Sequence, residues 1–223
     1  MSVPWTTLGE SRTPDGTVMT LARRGRDYMI SAGAKPLMGS GMKGSEIALA
    51  DLGCVRSRGL ERPRVLVGGL GMGFTLRAAL DVTPADGTVV VAELMPCVVE
   101  WNKGEIGALA GRPLTDNRTV VAMGDVAITM RAQPGGFDAI LLDVDNGPTA
   151  FTTEGNNDLY GNAGILNAKA ALRRDGVLAV WSAWDDRKFE HRMRHHGFKL
   201  EVHHVRSRGA AGGRMHTIFV GAL

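Results

Sequence analysis

The sequence predicts an α/β protein: a mostly parallel seven-stranded sheet covered by helices on both faces, an antiparallel C-terminal strand, and a small N-terminal β-hairpin. Three observations predict it. From Arg64 onward, short β-branched runs alternate with helix-compatible stretches, a rhythm that builds parallel strands joined by right-handed crossovers. Around Val67 a strand-like run ends in a cluster of glycines and a helix begins. After Trp181 the alternation gives way to one helix and two strand-like runs joined by the short loop 207–214, which suits a hairpin and therefore an antiparallel strand.

In chain order, residues 17–23 and 27–31 are strand-like runs around a tight turn at 24–26, so residues 1–44 read as a hairpin appendage. Residues 45–54 read as a helix leading into the main domain, residues 45–223. Buried parallel strands are expected at 65–67, 88–92, 119–122, 139–142 and 177–181, where Val, Ile and Leu run together. Helices are expected at 74–80, 97–109, 125–131 and 164–172. The last third adds a helix at 186–196 and strands at 199–205 and 215–220.

Composition narrows the function classes. With 223 residues, 44% of them hydrophobic, the chain can bury a sizeable core as one domain with a small addition. Its apolar runs are far too short to cross a bilayer, and the start MSVPWTTLGE lacks a secretory pattern. A cytoplasmic location and no membrane partner are expected. The net charge is only +3, with the basic excess late in the chain. Those basic stretches lack the series of aromatic side chains that a base-stacking platform needs, so nucleic acid is not an expected partner. Cys54 and Cys97 have neither metal nor redox spacing. The six histidines are scattered, and His191 and His195 lack the glutamate that would complete a zinc motif. They read as surface or core residues, and no metal is expected.

The segment RVLVGGLGMGFTLRAAL carries the strongest local signal. Gly68, Gly69, Gly71 and Gly73 fall within six positions between a strand and a helix. Glycine admits positive φ and close approach of a ligand, and a helix N-terminus offers free N–H groups. The spacing is GxGxG, so the dinucleotide GxGxxG and the lysine-containing phosphate loop are both absent. Glu93 follows 20 residues after Gly73, at the end of the second parallel strand. A carboxylate there accepts hydrogen bonds from ribose hydroxyls, and it is expected near solvent. Gly124 and Asp125 end the third strand. Asp125 reads either as a helix N-cap or as the acceptor of an adenine amino group.

The segment FDAILLDVDNGPTAFTTEGNNDLYG is the most unusual. Asp143 and Asp145 follow directly on the fourth strand, and no apolar periodicity returns until about Gly164. A connection of this length in a compact domain is usually functional. Asp143, Asp145 and Glu154 suit a cationic substrate, with Asp143 or Asp145 orienting or deprotonating an attacking amine. Turn formation at Asp145-Asn146-Gly147 is the plainer alternative. Tyr160 is placed to close over the site or to pack beside it.

These residues resemble the spermidine synthase family, in particular its short bacterial relatives, over about Thr17 to Ala183. VLVGGLGMG resembles that family's nucleoside loop, AELMPCVVEWN its ribose segment, MGDV its adenine segment and DAILLDVDNGP its acidic catalytic loop. LMGSGMKGSEIALA resembles the segment joining the family's N-terminal β-domain to its catalytic domain. The resemblance implies a Rossmann-like class I methyltransferase fold. It implies that Glu93 binds ribose, Asp125 adenine and Asp143 the attacking amine, with Glu46 near the substrate entrance. The chain departs from the family in three places. Gly71 stands where the family usually carries the aspartate that holds the aminopropyl ammonium, the catalytic loop reads Asp143-Val-Asp145 in place of DxxD, and the N-terminal domain is shorter.

The expected function is S-adenosyl-nucleoside-dependent alkyl transfer, foremost aminopropyl transfer from decarboxylated S-adenosylmethionine to a small amine, as in polyamine biosynthesis. Methyl transfer from S-adenosylmethionine to a small molecule is the alternative, and a non-catalytic nucleoside-binding module is the third. The sequence is compatible with a homodimer.

Overall fold

A computed structural model describes residues 3–144 and 159–223. The main sheet has seven strands in the order β10-β11-β9-β8-β5-β6-β7. β5 (Arg64–Gly68), β6 (Thr88–Glu93), β7 (Thr119–Met123), β8 (Phe137–Leu142) and β9 (Leu172–Ser182) pair in parallel. The antiparallel strand is the last, β11 (Met215–Ala222), which slots between β9 and the edge strand β10 (Lys199–Arg206). The order runs outward in both directions from the β5–β8 pair. That crevice is where open α/β sheets bind ligands, outside the carboxyl ends of the strands.

The central strands are apolar at every position because helices cover both faces. Val65, Val67, Val89, Val91, Ala139 and Leu141 point to one side, and Leu66, Val90, Ala92, Ile140 and Leu142 to the other. The first side packs against α1 (Gly44–Gly53), α2 (Phe74–Val82) and α3 (Pro96–Lys103). The second packs against α4 (Val126–Ala132), α5 (Asn162–Ala171) and α6 (Arg187–His195).

Helix α1 lies close on the sheet. A Cβ on Gly53 would come within 2.2 Å of Leu141 Cδ2 and 2.9 Å of Ala179 Cβ, so only glycine permits this approach. At its other end the Gly44 amide donates to the Ser207 carbonyl at 2.8 Å. The helix is therefore tied to the sheet and to the loop before β11.

The N-terminal hairpin is present as β2 (Val18–Arg24) and β3 (Asp27–Ala32), and it is the centre of a four-stranded antiparallel sheet. β1 (Thr6–Arg12) and β4 (Lys35–Gly39) flank it. Those two strands escape a pattern reading because β1 is mostly polar and exposed and β4 is short. The buried side chains Met19, Leu21 and Ile30 join the core on the α1–α3 side.

Two boundaries differ from expectation. The helix expected to reach residue 109 stops at Lys103, because Gly104 takes φ −103° and ψ −110°, outside helical geometry, and a 3-10 turn follows at Gly107–Ala110. β9 begins at Leu172, directly after α5, five residues before its β-branched run.

Candidate active site

The glycine loop is laced to its neighbours at the carboxyl edge of the sheet. The Gly68 carbonyl accepts from the Asp143 amide at 2.9 Å, and the Gly69 amide donates to the Ala92 carbonyl at 2.8 Å. Gly69 has φ 89°, and a Cβ there would lie 2.5 Å from the Asp143 carbonyl oxygen. No other residue allows β5 and β8 to leave the sheet side by side in this way. Gly71 and Gly73 also have positive φ, and Gly73 precedes the first turn of α2. Asn102 on α3 holds the loop from outside, its Nδ2 donating to the Gly71 carbonyl at 2.7 Å and the Val98 carbonyl at 2.9 Å.

Glu93 is buried, with 7% of its surface exposed, and does not stand near solvent as expected. Its Oε2 accepts from the Leu70 amide and its Oε1 from the Met95 amide, each at 2.8 Å. The carboxylate thus bridges the glycine loop and the start of α3. Burial raises its pKa, and the surrounding backbone N–H groups oppose that rise.

One strand over, the Gly124 amide donates to the Glu93 carbonyl at 2.8 Å, and the space beside the Gly124 Cα is open. Asp125 caps α4, its Oδ1 accepting from the Ala127 amide at 2.7 Å, while Oδ2 makes no hydrogen bond among the described residues. The capping and ligand readings are therefore compatible in one side chain. Leu94 and Met123 stand 54% and 52% exposed beside this edge. Exposed apolar side chains at the ends of adjacent strands suit the face of a purine, a feature the spacing of the sequence did not reveal.

The acidic residues meet on the other side of the loop. The Thr75 hydroxyl, in the first turn of α2, donates to Asp143 Oδ2 at 2.6 Å. Burial pushes the Asp143 carboxyl up to about 6, and the Thr75 hydrogen bond pulls against that shift. Glu46, in the first turn of α1, is pushed up to about 8, first by burial and then by the Asp143 charge. The Asp143 charge thus favours a proton on Glu46. The Ser45 hydroxyl donates to Glu46 Oε2 at 2.7 Å. His216 Nδ1 lies 3.0 Å from the Ser45 Oγ.

The structure thus brings Gly68, Gly69, Gly71, Gly73, Glu93, Gly124, Asp125, Asp143 and Glu46 to one edge of the sheet. Tyr160 packs beside that edge. Its ring is 2% exposed, packs edge-on to Phe189 at 5.9 Å on the α4–α6 side, and its hydroxyl donates to the Val144 carbonyl at 3.1 Å. The physical reason is the apolar ring, which the second core absorbs. Asp145 and Glu154 lie outside the described residues. Sequence reasoning missed Thr75, Asn102, Ser45 and His216. Their signal is polarity inside apolar helical or strand patterns. Among the described residues no group of three or more His, Cys, Asp or Glu side chains is arranged to hold a metal ion, and no helix is long and apolar enough to cross a membrane.

Sheet order and glycine loop together define a Rossmann-like fold of the class I methyltransferase type. Among solved structures it is similar to a spermidine synthase in complex with the transition-state analogue AdoDATO, with TM-score 0.74 and 16% identity, covering 97% of this chain and 72% of that one. The spermidine synthase from Thermotoga maritima matches with TM-score 0.72 and 17% identity over 97% and 72% of the two chains. A probable spermidine synthase from Corynebacterium glutamicum matches with TM-score 0.66 and 16% identity over 97% and 79%. No protein-family model matches the sequence, and no curated protein does. The fold is spermidine synthase-like.

Proposed function

We propose that this chain transfers an alkyl group from an S-adenosyl sulfonium nucleoside to a small amine, foremost an aminopropyl group from decarboxylated S-adenosylmethionine. One observation carries the reading: Asp143, held by the Thr75 hydroxyl at 2.6 Å, ends its strand beside a glycine loop backed by Glu93, and its charge acts on Glu46. Two such groups hold a proton between them until a cation enters, because like charges in a poorly solvated recess cannot both ionise cheaply. An ammonium relieves that strain, so the pair selects a cationic acceptor. The spermidine synthase-like fold supports the same reading, and one neighbour of that fold binds AdoDATO.

In the proposed reaction the bound ammonium gives up a proton to the carboxylate pair. The neutral nitrogen attacks the carbon next to the sulfonium in line. The C–N bond forms, the C–S bond breaks, and its electron pair passes to sulfur. The leaving group is a neutral thioether, so no acid is needed to expel it. The work of the protein is positioning and proton removal. Glu93 holds the ribose, Asp125 Oδ2 takes the adenine amino group, and Asp143, fixed by Thr75, orients the amine.

Methyl transfer from S-adenosylmethionine is a second reading, favoured by one contact. Met38 from β4 sits over Gly71, where a Cβ would come within 2.8 Å of its Cε and 2.9 Å of its Sδ. An apolar thioether there replaces the aspartate that the resemblance leads one to expect. Incubation with each donor and a set of diamines, followed by mass spectrometry, separates the readings. Methylthioadenosine marks aminopropyl transfer, and S-adenosylhomocysteine marks methyl transfer. Neither product with any acceptor overturns both.

A further inference from the structure

Aminopropyl transfer to an ammonium releases one proton per turnover. The sulfonium and the ammonium enter with one positive charge each, and a neutral thioether and a secondary ammonium leave. A proton must therefore exit the site in every cycle. Asp143 faces the glycine loop and is closed off by Thr75. Glu46 is connected differently. Ser45 Oγ lies 2.7 Å from Glu46 Oε2 and 3.0 Å from His216 Nδ1, and Ser45 is fully buried. Three groups capable of proton exchange thus line up from Glu46 to β11, a strand of the main sheet against which α1 packs.

We propose that Glu46, Ser45 and His216 form a proton relay that carries the proton of the acceptor amine away from the site. This rests on the amine-transfer reading above. The incoming ammonium drives the resting proton of Glu46 out along the relay, and the emptied carboxylate then takes the proton of the amine. Once Glu46 is protonated the Ser45 hydroxyl turns from Glu46 Oε2 toward His216 Nδ1; the proton then passes from Glu46 Oε2 to Ser45 Oγ as the Ser45 proton moves to His216 Nδ1, and the ring gives up its Nε2 proton. No bond to carbon changes in these steps, and no co-reactant is required.

The surroundings of the histidine suit this task. His216 lies on β11 between Ser45 of α1 and Trp181 of β9, whose ring meets the imidazole edge-on with centroids 4.7 Å apart. The stacking and the Ser45 contact fix the ring plane. The ring is half-buried, and Arg214, in the loop before β11, is the charged group acting on it. Burial first and Arg214 second lower its pKa, so the imidazole rests neutral and accepts a proton only in passing. On Glu46 the acting groups are Asp143 from the end of β8 and Ser45 beside it. Its raised pKa brings it closer to that of an ammonium, which makes the first transfer less uphill.

The test compares wild type with His216→Gln, which keeps a hydrogen-bonding group toward Ser45 but cannot relay, and with Ser45→Ala. Methylthioadenosine release is followed from acidic to alkaline pH with decarboxylated S-adenosylmethionine and a diamine. The relay predicts that kcat of His216→Gln falls roughly 10–10²-fold near neutral pH, at or below the low end of an acid–base contribution. It predicts little change in the acceptor KM, recovery at alkaline pH where the free amine binds, and partial rescue by added imidazole in His216→Ala. If Ser45→Ala does not fold, the histidine variants decide alone. A wild-type protein that releases no methylthioadenosine overturns the amine-transfer reading and the relay with it. Wild-type turnover together with a His216→Gln variant of unchanged kcat at every pH overturns the relay alone.

Discussion

Thr75 donates its hydroxyl to Asp143 Oδ2 at 2.6 Å, so the helix that begins at the glycine loop also holds the acid at the end of the neighbouring strand. Any movement of the loop moves Asp143. This hydrogen bond favours the charged carboxylate, against burial that pushes the group up to about 6. Thr75→Val keeps the shape and removes the donor. Hydrogen bonds to charged groups are worth about 1.5–3 kcal/mol, and one pKa unit is about 1.4 kcal/mol. The Asp143 pKa in the variant should rise by roughly one to two units. The acidic limb of the kcat/KM profile should move to higher pH by that amount. An unmoved limb in a folded variant would show that a group other than Asp143 titrates.

Asp143→Asn preserves size and much of the hydrogen bonding while removing charge and basicity. General acid–base catalysis contributes about 10²–10⁴-fold, so turnover should drop by that order while nucleoside affinity changes little. The measurement is kcat at saturating donor and acceptor. A drop of less than about fivefold, well short of that range, would remove Asp143 from the chemistry and turn attention to Asp145.

Glu93 both faces the proposed ribose position and ties down two backbone amides. Glu93→Ala should therefore weaken methylthioadenosine binding by roughly 1.5–3 kcal/mol. It should also destabilise the free protein, since each orphaned buried donor costs about 1–3 kcal/mol. In the wild type, methylthioadenosine at about 100 times its dissociation constant should stabilise by about 2.7 kcal/mol, and NAD should not, because the loop spacing is GxGxG. Calorimetry and thermal melting read both effects. Unchanged affinity in a folded Glu93→Ala protein would exclude the ribose role.

Glu46 has a folded pKa pushed up to about 8, against an unfolded value of about 4.3. A raised folded pKa means that the folded state binds the proton more tightly. The associated stability is fully present below the unfolded value and is lost as pH climbs through about 8. Glu46→Gln abolishes that dependence. Its melting temperature should gain on wild type as pH rises from about 5 to 9, the window bounded by the two pKa values. A constant difference between the two proteins across that range would show that Glu46 is not desolvated beside Asp143.

Much of the architecture was legible because it is local. The apolar runs at Val65–Val67 and Ala139–Leu142 and the glycines between Gly68 and Gly73 declare strands and a tight turn by composition and spacing alone, wherever they sit in space. The flanking strands β1 and β4 were not legible, because a polar, exposed strand and a five-residue strand carry no periodic signal. Tyr160 shows the limit for the site. Its closeness in sequence to the acidic loop left cover and packing both open, and only the fold places its ring in the core on the α4–α6 side.

The sequence by itself determined the alternation of strands and helices from Arg64 onward, the glycine loop, and the acids at the strand ends, since each depends on a few neighbouring residues. Only the tertiary structure decided that Glu46 would meet Asp143 and that Ser45 would meet His216. Those pairs lie far apart along the chain, and they come together because Gly53 lets α1 lie against Leu141 and Ala179 while Gly44 ties its start to Ser207. The shifts of both acids follow from that packing, because burial and a neighbouring charge are properties of a folded surface and not of a residue type.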